Sequence, residues 1–579
     1  MATKIRIPPW MFGNTTVRSP FRLKDGLTAI SQSSLQGNLR GIEQDKAFRE
    51  LLGEVGIVEL GSDETNSVGR KWRAALSQLG FLYSPIPERL NIPQNEVGAI
   101  DTITPNGWRL VNSESVSAIQ ECFLRSLASY YVPNIFESGY KFTKVFSPLR
   151  LTLSIMLELE KRTGTSLLNF LEMAVIVQFS NADQDFNDIV NSILRLRDNR
   201  NSSKNKKSFD REERAKASAK FGYVETTFND YADTNFRYLK ATGLVQSKGR
   251  NITLIPEKRL FVQKLCADKY VPVDGKDGLI SLTNGAKLPT DSKDTAIVVV
   301  EDLVRQLKDK GVTTSSKNPK PDDVADINQL RHDLEDKLFE LNEIEFAKNQ
   351  VNEWQDISNW LEILSTNPSK TITLENGDKL SIPNGEAPAY FEWIIWRAFL
   401  AINSLINPPN ECRKFKIDQD FLPVGTAPGG GPDLIFEFDN FVIVGEVTLT
   451  TNSRQEAAEG EPVRRHVANI VDYYESKNKQ VYGLFLANKI DSNTAETFRL
   501  GTWYRNDDVK LKLDIVPLPL SLFKIFFDSM FSKGLVRSSF VEELILKCAE
   551  HRVNEAPVWK NLITDTVISY SANLSVNAN

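Results

Sequence analysis

Two short apolar runs, Leu434–Phe438 and Phe441–Thr448, are separated only by Asp439-Asn440, and this pairing constrains the chain more than any other feature of its sequence. Aromatic and β-branched residues on either side of a two-residue polar turn predict an antiparallel hairpin. Asp433 stands at the start of the first strand and Glu446 at the far end of the second, so antiparallel pairing sets the two acids side by side. Carboxylates that close repel each other unless a cation lies between them. A hard, oxygen-seeking magnesium ion would join them, and would also lower the pKa of a water and polarise a phosphoryl oxygen. Phosphodiester hydrolysis needs both services.

The other metal-binding residue types point the same way. With His332, His466 and His551 as the only histidines, a metal must rest mainly on oxygen donors. Cys122, Cys266, Cys412 and Cys548 are each more than a hundred residues apart, which excludes a zinc knuckle and a disulfide framework. They read as reduced core thiols. No cofactor beyond a divalent cation is expected, because no phosphate-cradling glycine motif precedes a helix.

A chain of 579 residues exceeds what one hydrophobic core supports, so several domains are expected. Apolar residues at 41% and charged residues at 25% are those of a soluble globular protein, and no run approaches the ~18 apolar residues of a membrane span. The N-terminal residues lack the apolar stretch of a secretory signal, which predicts a cytoplasmic protein without membrane partners. The net charge of −5 averages over unlike regions. Arg195–Lys220 is heavily basic, whereas Asp322–Glu345 and Glu456–Glu461 are acidic, as a basic binding half and an acidic catalytic half would be.

Helical spacing over Asp45–Leu52 and over Ser67–Leu79, a stop at Gly80, and short strands at Phe81-Leu82 and Ile103–Leu110 with a Pro105-Asn106-Gly107 turn give the order of a winged helix-turn-helix. The order returns later: a helix over Tyr231–Thr242, Gly243, a strand from Leu244, the basic turn Lys248-Gly249-Arg250, and the strand Asn251–Ile255. Between about residues 322 and 345, Ile327, Leu330, Leu334, Leu338, Leu341 and Ile344 form one helical stripe, with His332 as a solvated neighbour. The expected fold is therefore multidomain α+β, with winged-helix DNA-recognition subdomains at 1–140 and 141–285, a helical linker at 286–384, and a nuclease catalytic domain at 385–579. In that last domain Gln480–Ala487 and Leu513–Leu518 read as further buried strands of a mixed sheet, covered by the Leu520–Phe531 helix. Arg70, Lys71, Arg73, Arg237, Lys240, Lys248 and Arg250 are candidates to neutralise DNA phosphates or read guanine.

Pro432-Asp433 and Glu446-Val447-Thr448 resemble the half-motifs of the PD-(D/E)XK nuclease superfamily, with Thr448 where that superfamily has lysine. Phe391-Glu392-Trp393, the hairpin, Glu459, Glu461-Pro462-Val463, Arg465 and His466 together are similar to the catalytic region of the AlwI-type restriction endonucleases, a type IIS group that includes nicking enzymes. Arg18-Ser19-Pro20 and Arg70–Leu82 resemble its recognition region. The resemblance implies metal binding by Glu392, Asp433 and Glu446, catalytic roles for Asp433, Glu446, Glu459 and His466, and a DNA contact at Arg18. It also implies a double-stranded DNA substrate cut at a fixed distance from a short asymmetric site. One nuclease domain cuts one strand, so a double-strand break would call for a second copy or a small nuclease subunit, and a monomer would nick. The alternative is a DNA-binding regulator with an inactive nuclease-like domain, which the missing lysine favours.

Overall fold

The computed structural model describes residues 6–17, 19–58, 67–86, 90–136, 139–140, 142–267, 275–312, 323–374 and 379–574. The chain divides into two compact units, residues 1–338 and 339–579. The second unit thus begins inside the stretch that reads as a helical linker. Among the described residues no helix is long and apolar enough to cross a membrane, and the cysteines are free thiols.

The first unit is mostly helical. Its Ile42–Glu54 and Ser67–Gln78 helices cross where Gly69 lies against main chain, since a Cβ there would stand 2.4 Å from the Asp45 carbonyl oxygen. Gly80, at φ +74°, ends the second helix. Beyond it the sequence reading needs correction. Leu82 and Ile103 form a single bridge, and Pro105–Val111 is a helix and not a strand. Thr104 caps this helix by accepting from Gly107 N–H at 2.9 Å, and Pro105 takes the first helical position, where its missing N–H costs nothing. Here the cap makes Pro105-Asn106-Gly107 the first turn of a helix.

The later repeat is present. The Glu225–Ala241 helix runs through Gly243, at φ +67°, into the antiparallel strands Val245–Lys248 and Asn251–Leu254, and Leu168 bridges to Ile252 on the hairpin's other side. His332, expected in solvent, instead sits with Nε2 3.2 Å from the Glu121 carboxylate. It belongs to an ionic cluster in which Arg125 and Arg331 also reach Glu121, and Lys258 reaches Glu335.

In the second unit a mixed sheet runs in the order Asp514–Pro519, Gln480–Ala487, Phe441–Thr448, Leu434–Glu437. The first two pairings are parallel and the last antiparallel. Side chains alternate across a strand, and here both faces are covered, which is why these strands read as continuous apolar runs. Phe441 and Ile443 join Phe436, Leu484 and Leu518 under helices Ala387–Ile402 and Leu520–Ser532. Val442 and Val444 face the opposite way, with Val463, Val467 and Phe498 from helices Glu461–Glu475 and Ser492–Leu500. Phe399 stacks on Phe436 at 4.0 Å between ring centroids, and each such buried aromatic stabilises by on the order of 2 kcal/mol.

Candidate active site

Parity along the hairpin decides where the acids point. Leu434 pairs with Gly445, so Asp433 stands opposite Glu446. Counting alternate positions from Val442 and Val444 puts Glu446 and Thr448 on the face of the Glu461–Glu475 helix, and counting back from Ile435 puts Asp433 there too. Val447 N–H donates to Asp433 Oδ2 at 3.1 Å, which holds the Asp433 carboxyl over the strand that carries Glu446. Two neighbouring carboxyls hold that arrangement only with a proton or a cation between them.

The helix above this face supplies the remaining groups. His466 is buried, with Nδ1 2.7 Å from Glu446 Oε1, while its Nε2 is buried without a hydrogen-bond partner. A π-helical turn, Glu456–Gly460, leads into the helix, and such turns recur at functional sites because they re-aim side chains. Here it delivers Glu459 to the Thr448 hydroxyl, which donates to it. The Glu456 side chain folds over Gly460, where a Cβ would lie 2.4 Å from Glu456 Oε1 and would push that side chain aside, and the Thr497 hydroxyl donates to the same oxygen at 2.7 Å. Glu392 comes from the Ala387–Ile402 helix on the other side of the sheet, where it is 5% exposed and accepts from Ala427 N–H of the glycine-rich loop at 2.7 Å.

The electrostatics are those of acids short of counter-charge. Burial, then repulsion from Asp433, pushes the Glu392 carboxyl up, and burial, then Glu446, does the same to Asp433. Glu446 is raised by burial and by Glu459, and Glu459 by burial. Burial, then the charge of Arg465, lowers His466 against the pull of Asp433, Glu461 and Glu459. The same Arg465 draws the Glu446 carboxyl back down.

Among the described residues no three His, Cys, Asp or Glu side chains form a ready-made ion cluster. Asp433 and Glu446 are the pair whose chemistry fits a hard cation: adjacent oxygen donors, Glu446 buried and Asp433 half-buried, that a positive charge would relieve. Magnesium ordinarily takes one or two carboxylates and keeps several waters. The engaged Oε2 of Glu392 makes it a holder of the loop in this arrangement.

The structure thus brings Glu392, Asp433, Glu446, Glu459 and His466 into one neighbourhood. The candidate DNA contacts divide. Arg70, Lys71, Lys248 and Arg250 are exposed. Arg73 is turned inward, 9% exposed, and held by Asp45 at 2.6 Å, out of reach of a phosphate. Arg237 pairs with Asp233 at 2.8 Å and Lys240 donates to Ser247 at 3.1 Å. Arg18 lies outside the described residues. Sequence reasoning assigned no role to Arg465 or to the Thr448–Glu459 contact. The signal for the first was its place in the resemblance beside His466, which carried no role with it, and for the second there was none.

The profile of the family described as AlwI restriction endonuclease matches residues 77–526. No curated protein matches the chain. Among solved structures the chain is similar to the small subunit (R.BspD6I2) of the heterodimeric restriction endonuclease R.BspD6I, with 24% identity and a TM-score of 0.29, over 37% of this chain and 98% of that one.

Proposed function

The chain belongs to the AlwI restriction endonuclease family and is a DNA nuclease, and we propose that it is a magnesium-dependent type IIS enzyme that binds a short asymmetric duplex site through its first unit and hydrolyses a phosphodiester at a fixed distance through its second. One observation carries the hydrolytic reading: Asp433 and Glu446 stand opposite each other on one face of the hairpin, with His466 2.7 Å from Glu446.

Asp433 and Glu446 would hold the cation, with Glu392 as the third acid nearby. When bound, magnesium supplies positive charge that stabilises the reacting phosphate and acidifies a water. Glu446 fixes the His466 ring through Nδ1, which leaves Nε2 free to accept a proton from water or to give one to a leaving oxygen. Glu459, steadied by the Thr448 hydroxyl, is a second proton acceptor. Arg465 stands in for the superfamily's lysine, since its charge already acts on Glu446 and His466. In the first unit, the Glu225–Ala241 helix, its hairpin and the Leu168 bridge have the arrangement of a winged-helix module. Its exposed turn, Lys248-Gly249-Arg250, would act as the wing that touches phosphate. A single nuclease unit would nick one strand, and a second copy or a small partner subunit would complete a break.

A supercoiled plasmid incubated with magnesium tests this. The chain should convert it to nicked circles whose ends sequence to a constant offset from one motif. Asp433→Asn and Glu446→Gln should lower the rate at least a thousandfold, and chelation should abolish it. Equal inactivity of wild type and variants would overturn the reading in favour of a duplex-binding regulator.

A further inference from the structure

The basic stretch Arg195–Lys220 is not used by the hairpin or by the acids. It folds into two packed helices, Phe186–Ser202 and Lys206–Phe221, in the first unit. Arg195, Lys206, Lys207, Arg211, Lys216 and Lys220 are all exposed, in a chain whose net charge is −5. A groove of about 330 Å³ runs between the helices, walled by Arg195, Lys216 and Lys220, with Ser192 and Asn199 as polar lining. Acids are not absent, for Glu213 pairs with Lys216 at 2.6 Å and Asp210 with Arg200 at 2.6 Å.

The placement of the charge is unfavourable for the isolated protein. Lys206 and Lys207 open the second helix, which has no acid in its first turn. Cations there face the positive end of the helix dipole. Asn205 caps this start by accepting from Ser208 N–H at 3.0 Å, so the exposed lysines, more than the helix N–H groups, are what an approaching phosphate would meet. By contrast, the helix before the hairpin presents Asp230 and Thr226 as exposed residues, and its Arg237 is tied to Asp233.

The paired helices also belong structurally to the hairpin module. Arg197 donates to Leu167 O at 2.6 Å and to Glu172 at 2.7 Å, while Asn251, at the hairpin's turn, accepts from Phe170 N–H at 3.1 Å. One short segment, residues 167–172, therefore anchors both. Resting on the DNA-binding reading given above, we propose that the basic face of the Phe186–Ser202 and Lys206–Phe221 helices is a sequence-independent clamp on the DNA phosphate backbone.

The test is the salt dependence of binding to a fluorescein-labelled 30-base-pair duplex of mixed sequence, measured without magnesium by anisotropy. Each phosphate contact contributes about 0.9 to the slope of log K against log salt concentration. Replacing Lys206, Lys207 and Arg211 by glutamine together should flatten the slope by about 2 to 3 and weaken binding more than tenfold at 0.1 M salt. A matched control, Lys161→Gln with Arg305→Gln and Lys308→Gln, lies outside the face and should leave the slope as in the wild type. The thermal midpoint of the first triple variant should not fall, because Lys206 and Lys207 oppose the helix dipole and Arg211 is an exposed side chain one turn on from Lys207. An unchanged slope, or an equal loss in both triple variants, would overturn the clamp. Wild-type binding with the predicted slopes but no plasmid nicking would count against the hydrolytic reading alone and uphold the clamp.

Discussion

On the proposed reading, Arg465 supplies the positive charge that the Asp433–Glu446 hairpin lacks. Thr448 lies two residues beyond Glu446 on the same strand face, and its hydroxyl is committed to Glu459 and to Thr450 N–H. The ion pair that holds Arg465, to Glu461 at 2.9 Å, is largely solvent-exposed and is therefore weak, so the guanidinium is free to leave it for a phosphate. Losing one such stabilising group from a transition state costs about 10²–10³ in rate. Arg465→Ala should show that loss in single-turnover nicking with unchanged duplex affinity, and Arg465→Lys should recover most of it. A wild-type rate for the alanine variant would remove Arg465 from the reaction. Arg73 and Arg465 also show the limit of reading charge from sequence. Either could have served DNA, yet Arg73 is buried against Asp45 and Arg465 pairs with Glu461 on the helix that carries His466.

At the level of elements, the hairpin was legible because everything that defines it is local: a two-residue turn, alternating faces and an acid at each outer end. The Pro105–Val111 helix was not, because its start depends on Thr104, whose hydroxyl also donates to Gly80 O at 2.6 Å, across 24 residues. Thr104→Ala should destabilise the first unit by about 1–2 kcal/mol through loss of the cap, read as a lower urea midpoint. Thr104→Ser should restore most of it. If alanine and wild type unfold together, the cap contributes nothing. The π-turn at Glu456–Gly460 was likewise hidden, for its one sequence mark, Gly460, is explained only by the Glu456 side chain folded over it.

Across the whole molecule, acid should act first on the first unit. Burial alone would raise Glu121, but the bond from His332 and the charges of Arg331 and Arg125 outweigh it and hold the carboxyl far below its ordinary value. Glu335 is lowered against its burial by Lys258 and Arg331. A carboxyl with a depressed folded-state pKa stabilises above its ordinary value of 4.5 and loses that contribution as the pH falls through and below it. The urea midpoint of the first unit should therefore drop steeply below about pH 4.5. Glu121→Gln should cost about 3–5 kcal/mol at neutral pH, by stranding buried arginines, and should flatten the acid response. A variant with the wild-type pH profile would place the linkage elsewhere. The sequence by itself determined the hairpin, the side-by-side acids and the buried strands, since neighbours along the chain and the two-residue period of a strand suffice for these. Only the tertiary structure decided that the Glu461–Glu475 helix lies over the acid-bearing face, that Glu392 is tied to the glycine loop from the far side of the sheet, and that the Lys206–Phe221 helix keeps its lysines outside. Such contacts join residues distant in sequence, and side-chain packing, which no local pattern encodes, selects among the many faces each helix could present.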